Sequence, residues 1–218
     1  DDGRDLRDLV YGADASASAR SRLVAALARL DATAASIEWS RARESDFARM
    51  AQPQFWSDPG RFDVLDRIER RDRIESAVDT ARRLVERLGK DGGEIEFVGR
   101  VAQLLFLLEL AVDAVREGRP QDALIEIAAN DADLKRDGAE TRLWWQQLLG
   151  MYLQWAGRRN MRVDVLREDP QCCTAWLAVS GFGAFDLLAT EDGLHVLEQD
   201  PEIEVMFEEA DVAASRDA

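Results

Sequence analysis

Apolar residues return at steps of four and three along three successive stretches of this chain. That spacing commits its first half to helices packed side by side, because it puts one apolar row on each helix. Between about Ser16 and Met50 the row is Leu23, Leu27, Leu30, Ala34 and Ile37, which predicts one long helix. A second row, Ile74, Val78, Ala81, Val85 and Leu88, belongs to a helix that opens near Pro59 or Gly60 and closes at the breaker Gly89-Lys90-Asp91-Gly92-Gly93. Asp58 is its expected N-cap, with proline at the first position. A third helix from about Glu94 carries Val98, Val101, Leu104, Leu105, Leu108, Val112 and Val115 inward and stops before Gly118-Arg119-Pro120. Pro53 and Pro59 bracket a turn, since proline removes an amide donor and turns its predecessor away from helix. Phe55 and Trp56 in that turn are expected to fold back on the helices.

After Pro120 the texture changes. Ala123 to Ile127 is a short apolar strand candidate, followed by a polar stretch from Asn130 to Gly138. Asp137 and Glu140 then have the spacing of a capping box, in which each side chain satisfies an amide at a helix start. That helix runs to about Arg159, with Trp144, Trp145, Leu148, Leu149, Tyr152 and Ala156 on its apolar side. Met161 to Leu166 and Cys172 to Val179 read as strands, and residues 202 to 207 alternate acidic and apolar like a last strand with one wet face. The fold class is therefore α+β: an antiparallel three-helix bundle or hairpin over residues 1–118, then a small α+β domain with a helix packed on a mixed sheet over 120–210. Residues 211–218 are expected to form a frayed acidic tail.

The charge limits what such a fold can bind. A formal net charge of −15 in 218 residues argues against direct nucleic-acid binding, which draws on clustered Lys and Arg. No apolar run approaches the roughly 20 residues of a membrane-spanning helix, and the acidic start lacks the basic, then apolar, texture of a signal peptide. Cys172 and Cys173, the two cysteines, are adjacent and cannot staple a secreted scaffold. The cytoplasm is the expected location. Two thiols and one imidazole, His195, fall short of the four spaced ligands of a structural zinc site, so no metal and no cofactor are expected.

Several segments together resemble the bacterial peptide chain release factor 2 family. Pro53-Gln-Phe-Trp-Ser-Asp-Pro59 followed by a charged helix is similar to its helical N-terminal domain. Asp122-Ala-Leu-Ile-Glu-Ile127, Met151-Tyr-Leu-Gln-Trp-Ala-Gly-Arg-Arg159 and Met161-Arg-Val-Asp-Val-Leu166 resemble the strand, helix and strand that open its central PCRF domain. Gly183-Ala-Phe-Asp-Leu-Leu188 and Glu191-Asp-Gly-Leu-His195 resemble later segments of that domain, in the family's order.

The resemblance implies translation termination, a reaction that the family carries out with a Gly-Gly-Gln loop after reading the stop codon through Ser-Pro-Phe. Neither tripeptide occurs in these 218 residues. Gly92-Gly93 is followed by Glu94, and the family's Gly-rich segment is replaced by Ala128 to Glu140. Past His195 the chain continues Val-Leu-Glu-Gln199 rather than with the family's basic residues.

The chain is therefore expected not to be an enzyme, with no catalytic residues, and His195, at a family structural position, is assigned a structural role. Adjacent tryptophans cannot both enter one core. Trp144 matches a family tryptophan and takes the buried side, which leaves Trp145 as a candidate interface anchor. The acidic residues Glu198, Asp200, Glu202 and Glu204 are the remaining candidates, either meeting a basic protein or blunting a sheet edge. The expected function is a release-factor-2-like, translation-associated or regulatory binding factor whose partner is a protein, with the ribosome or translation machinery foremost. The alternatives are a protein-binding adaptor unrelated to the ribosome, and a portion of a true release factor whose catalytic domain follows.

Overall fold

The computed structural model describes residues 4–12, 14–91, 94–196 and 209–214. The chain divides into two compact units, Asp1–Arg119 and Pro120–Ala218.

The first unit is helical. It consists of α1 (Arg4–Tyr11), α2 (Ala17–Ala34), α3 (Ile37–Met50), a 3-10 turn (Phe55–Ser57), α4 (Arg61–Asp91) and α5 (Ile95–Glu117). The row predicted for α4 is buried throughout, Ile74, Val78, Ala81, Val85 and Leu88 sharing one core with Val98, Val101, Leu105, Leu108 and Val112 of α5, while Leu104 and Val115 of the α5 row are half-buried. α1, not expected from the sequence, adds Leu6 and Leu9 to that core against α5. Gly118 ends α5 in the left-handed conformation (φ 68°), which glycine adopts at little cost.

Three expectations for this unit need correction. The single helix from Ser16 to Met50 is two helices, broken at Ala35 and Ser36. The Ser36 side chain accepts from the Trp39 amide at 3.2 Å and so restarts the helix as its N-cap. The break rotates the register, so Ile37 is 70% exposed and Trp39 takes the inward place. The start of α4 lies at Arg61, because the Asp58 carboxylate accepts from the Gly60 amide at 2.8 Å and forms a turn before the first helical residue. Phe55 is buried, yet Trp56 stands 65% exposed, with the two rings edge to face at 5.2 Å.

The second unit holds β1 (Ala123–Ala129), α6 (Asp131–Arg136), α7 (Gly138–Arg158), β2 (Arg162–Asp169), β3 (Thr174–Ser180), α8 (Ala184–Leu188), β4 (Gly193–Val196) and β5 (Glu209–Ala214). The α+β class stands, with one correction. Strand order is β2-β3-β1-β5-β4 and every neighbouring pair is antiparallel, so the sheet is not mixed. β1 and β2, joined through α7, run in the same direction, but β3 lies between them. The polar stretch after β1 contains α6, which Asn130 caps by accepting from the Ala132 amide at 2.8 Å. Of the tail expected to fray, Asp211 to Ala214 instead lie within β5, paired to β1 with Ala128 opposite Asp211. The strand expected at 202 to 207 lies outside the described residues.

Candidate functional site

α7 carries the first of the sequence-predicted site residues. Thr141, Trp145, Leu148, Leu149, Tyr152 and Ala156 recur at helical spacing and are all buried, because this arc faces the sheet. Trp145 therefore does not sit at an interface. It is 1% exposed, and its indole Nε1 donates to the Ile127 carbonyl of β1 at 3.3 Å. Trp144, one residue and about 100° further round the helix, is the half-exposed member of the pair. Its Nε1 is buried without a hydrogen-bond partner. The structure reverses the expected roles of the two tryptophans, and Glu198, Asp200, Glu202 and Glu204 fall outside the described residues.

His195 of β4 meets the buried edge of α7. Its Nε2 lies 3.2 Å from the Tyr152 hydroxyl and 3.1 Å from the Glu191 carbonyl, and the two rings are edge to face at 6.1 Å. A carbonyl can only accept, so the contact with Glu191 calls for a proton on Nε2. Burial first, and the Glu191 charge second, push the Tyr152 phenol above its ordinary range, so it stays neutral at physiological pH. A neutral phenol and an imidazole tied to backbone fasten β4 onto α7.

The thiols sit in the β2–β3 turn. Cys172 is exposed and Cys173 buried, with Cys173 in the left-handed region (φ 49°). The Asp169 carboxylate accepts from the amides of Gln171 (3.0 Å) and Cys172 (3.1 Å), an arrangement that shapes the turn. Burial raises the Cys173 thiol, which keeps it a poor nucleophile. Among the described residues no group of three or more His, Cys, Asp or Glu stands close enough to hold a metal ion.

The helical unit holds a site that sequence reasoning missed. The α2–α3 elbow brings Trp39 to α4, where its Nε1 donates to Glu75 Oε1 at 2.9 Å while Arg43 Nη1 donates to Glu75 Oε2, also at 2.9 Å. The Arg71 guanidinium lies 5.8 Å from the Trp39 ring and pairs with Asp46, a carboxylate that also receives Arg67 at 2.6 Å. Burial alone would raise the Asp46 pKa; the hydrogen bonds and charges of Arg67 and Arg71 outweigh it and hold the carboxyl below its usual range. Two clefts share Trp39 as a wall. One, of about 360 Å³, lies among Thr33, Ser36, Arg71, Val115 and Arg116; the other, of about 430 Å³, lies among Asp31, Arg43, Glu75, Asp79 and Arg82. In the second, Arg43 pairs with Glu75 and Arg82 with Asp31 and Asp79, so its charges are met from within. The signal available in the sequence was Ser36-Ile-Glu-Trp39, a helix-capping residue with an acid in the first turn behind it.

These features are surfaces and clasps rather than a nucleophile with its base. Comparison with known proteins says what scaffold carries them. The PCRF domain description matches residues 100–207. Peptide chain release factor 2 of Phenylobacterium zucineum (strain HLK1) is 30% identical over 170 residues, which takes in 69% of this chain and 44% of that protein. The chain thus spans less than half the length of that relative. RF2 of Thermus thermophilus aligns with 87% of this chain and 58% of its own at 18% identity, with a TM-score of 0.34. No described helix is long and apolar enough to cross a membrane.

Proposed function

This chain is a diverged member of the peptide chain release factor family, and on that premise we propose that it works as a translation-associated binding factor, without peptidyl-tRNA hydrolysis or stop-codon reading of its own. The observation that carries the reading is the joint presence of the PCRF match over residues 100–207 and the absence of Gly-Gly-Gln and Ser-Pro-Phe from the 218 residues. Hydrolysis in this family depends on the first tripeptide and codon choice on the second, so what these 218 residues themselves offer is binding. The net charge of −15 favours a protein surface over bare RNA as the thing bound. Sedimentation with ribosomes at low and at moderate salt tests the proposal. The chain is expected in the pellet at both; recovery wholly in the supernatant at both counts against it.

The same acidity favours a second reading, a protein-binding adaptor unrelated to the ribosome. Pull-down from the native extract separates the two. Ribosomal proteins as the dominant catch support the first reading, and a single non-ribosomal partner supports the second.

A further inference from the structure

β2 lies at one end of the sheet and, among the described residues, pairs on one side only, with β3. Such an edge is a template for another strand, and charges or bulges commonly blunt it. β2 carries both devices in a particular arrangement. Val165 stands opposite Leu177 and Arg167 opposite Trp176, so Leu166 is the extra residue of a bulge. The extra residue resets the alternation of the strand. Arg162, Asp164, Arg167 and Asp169 stand opposite Ser180, Ala178, Trp176 and Thr174, the residues of β3 that alternate with its buried Val179, Leu177 and Ala175. All four charged side chains therefore share one face, although the bulge lies between them. Along that face Arg162 reaches Asp164 at 2.9 Å, and Arg167 reaches Asp169 at 4.0 Å.

We propose that β2 is a self-pairing edge, on which the β2 strands of two copies run antiparallel about a twofold axis at the bulge and join their sheets into one. The alternation of sign selects the second copy. Along the shared face β2 reads Arg162, Asp164, Arg167, Asp169, and turned end for end it presents the opposite sign at every place. Arg162 then faces Asp169 of the other copy and Asp164 faces Arg167, each pair made twice, as a twofold contact requires. A foreign strand would need this alternation at this spacing, whereas β2 supplies it to itself. The bulge makes the register possible. In an unbulged strand positions 162 and 169 fall on opposite faces, as do 164 and 167, and could not meet across a ladder.

The remaining positions suit the same axis. Val165, 46% exposed, and Leu166, 60% exposed, lie beside it and cover one another. On the other face Val163 stands opposite Glu168, an exposed side chain long enough to keep its carboxylate in water. Asp and Glu outnumber Lys and Arg 43 to 28, so an average surface sets like charges together when two copies meet, and β2 does not. The 8 residues of β2 span about 27 Å. A contact of that length buries less than about 1,200 Å² in total, the size of a weak association, so micromolar dissociation is expected. The inference does not depend on the translational reading above.

Sedimentation velocity of the full chain from about 5 to about 200 µM tests the proposal, the range over which a contact of this size dissociates. A monomer–dimer equilibrium is expected. Arg167→Asp sets a carboxylate opposite Asp164 on both sides of the axis and should weaken the dimer at least about tenfold. Asp164→Arg should do the same with guanidinium groups. The Arg167 and Asp164 side chains are 69% and 49% exposed, so both variants should melt near the temperature of the unaltered chain. Mixing the two variants reads the register, because every charge then meets its opposite, and the mixture should dimerise as the unaltered chain does. A chain that stays monomeric throughout, the result if the charges only blunt the edge or reserve it for a foreign strand, overturns the proposal. So does a dimer indifferent to Arg167→Asp, or a mixture of the two variants that stays monomeric.

Discussion

The helical unit and the sheet unit are held together by different physics. In the helical unit, guanidinium–carboxylate pairs join elements far apart in sequence: Arg29 to Glu109, Arg43 to Glu75, Arg67 and Arg71 to Asp46, and Arg82 to Asp31. In the sheet unit, the described pairs Arg136–Asp133, Arg162–Asp164 and Arg167–Asp169 span two or three positions, and the strand ladder and the Trp145 face of α7 supply long-range order. A bundle of amphipathic helices can slide along its apolar rows, and directional charge pairs between helices fix the register. A sheet fixes register through its own backbone and needs no such help.

The comparison breaks most readily at its two anchors. Trp145→Ala removes the largest fully buried side chain and its bond to Ile127, and should cost about 3–5 kcal/mol. Hydrogen exchange resolved by peptide should read that loss in the amides of β1 and α7. Asp46→Ala strands the buried Arg71 without its carboxylate and should cost about 3 kcal/mol, read by the same method in α3 and α4. An equal loss from Asp46→Ala and from a change at a local pair such as Asp164→Ala would erase the distinction between the units.

Smaller effects sharpen it. Asp137→Ala deletes the cap that accepts from the Glu140 amide at 3.2 Å and should cost about 1 kcal/mol, visible as faster exchange in the first turn of α7. Arg29→Gln, at a partly exposed pair with Glu109, should cost less than about 1 kcal/mol in urea unfolding at low salt, and the cost should vanish at high salt.

The acid response follows from Asp46. Its folded pKa lies below the unfolded value, so its contribution is present in full above about pH 4 and is lost as pH falls through the folded value. Protection of α3 and α4 should therefore decline below about pH 4, and Asp46→Asn should flatten that part of the profile.

Much of this architecture was legible because it rests on local patterns. The rows of α4 and α5 and the cap at Asp137 needed only spacing and residue type. The elbow was not legible, because Ala34 and Ile37 prolong the apolar spacing across Ala35 and Ser36 and alanine favours helix on either side. Trp145 is instructive in the other direction. Its spacing to Leu148, Leu149, Tyr152 and Ala156 points inward, whereas the family resemblance at Trp144 points the other way; the helical periodicity is what the structure follows. β5 could not be read from Glu209 to Ala214 alone, since a strand of that composition exists through its pairing with β1 and β4. The Trp39 clefts depend on the elbow and were lost with it.

Ribosomes halted at a stop codon with labelled peptidyl-tRNA in place provide the most direct measurement. After incubation with the purified chain and sedimentation, the account predicts the chain in the pellet with the label still esterified. Label released into the supernatant, or a chain that never enters the pellet, would contradict it.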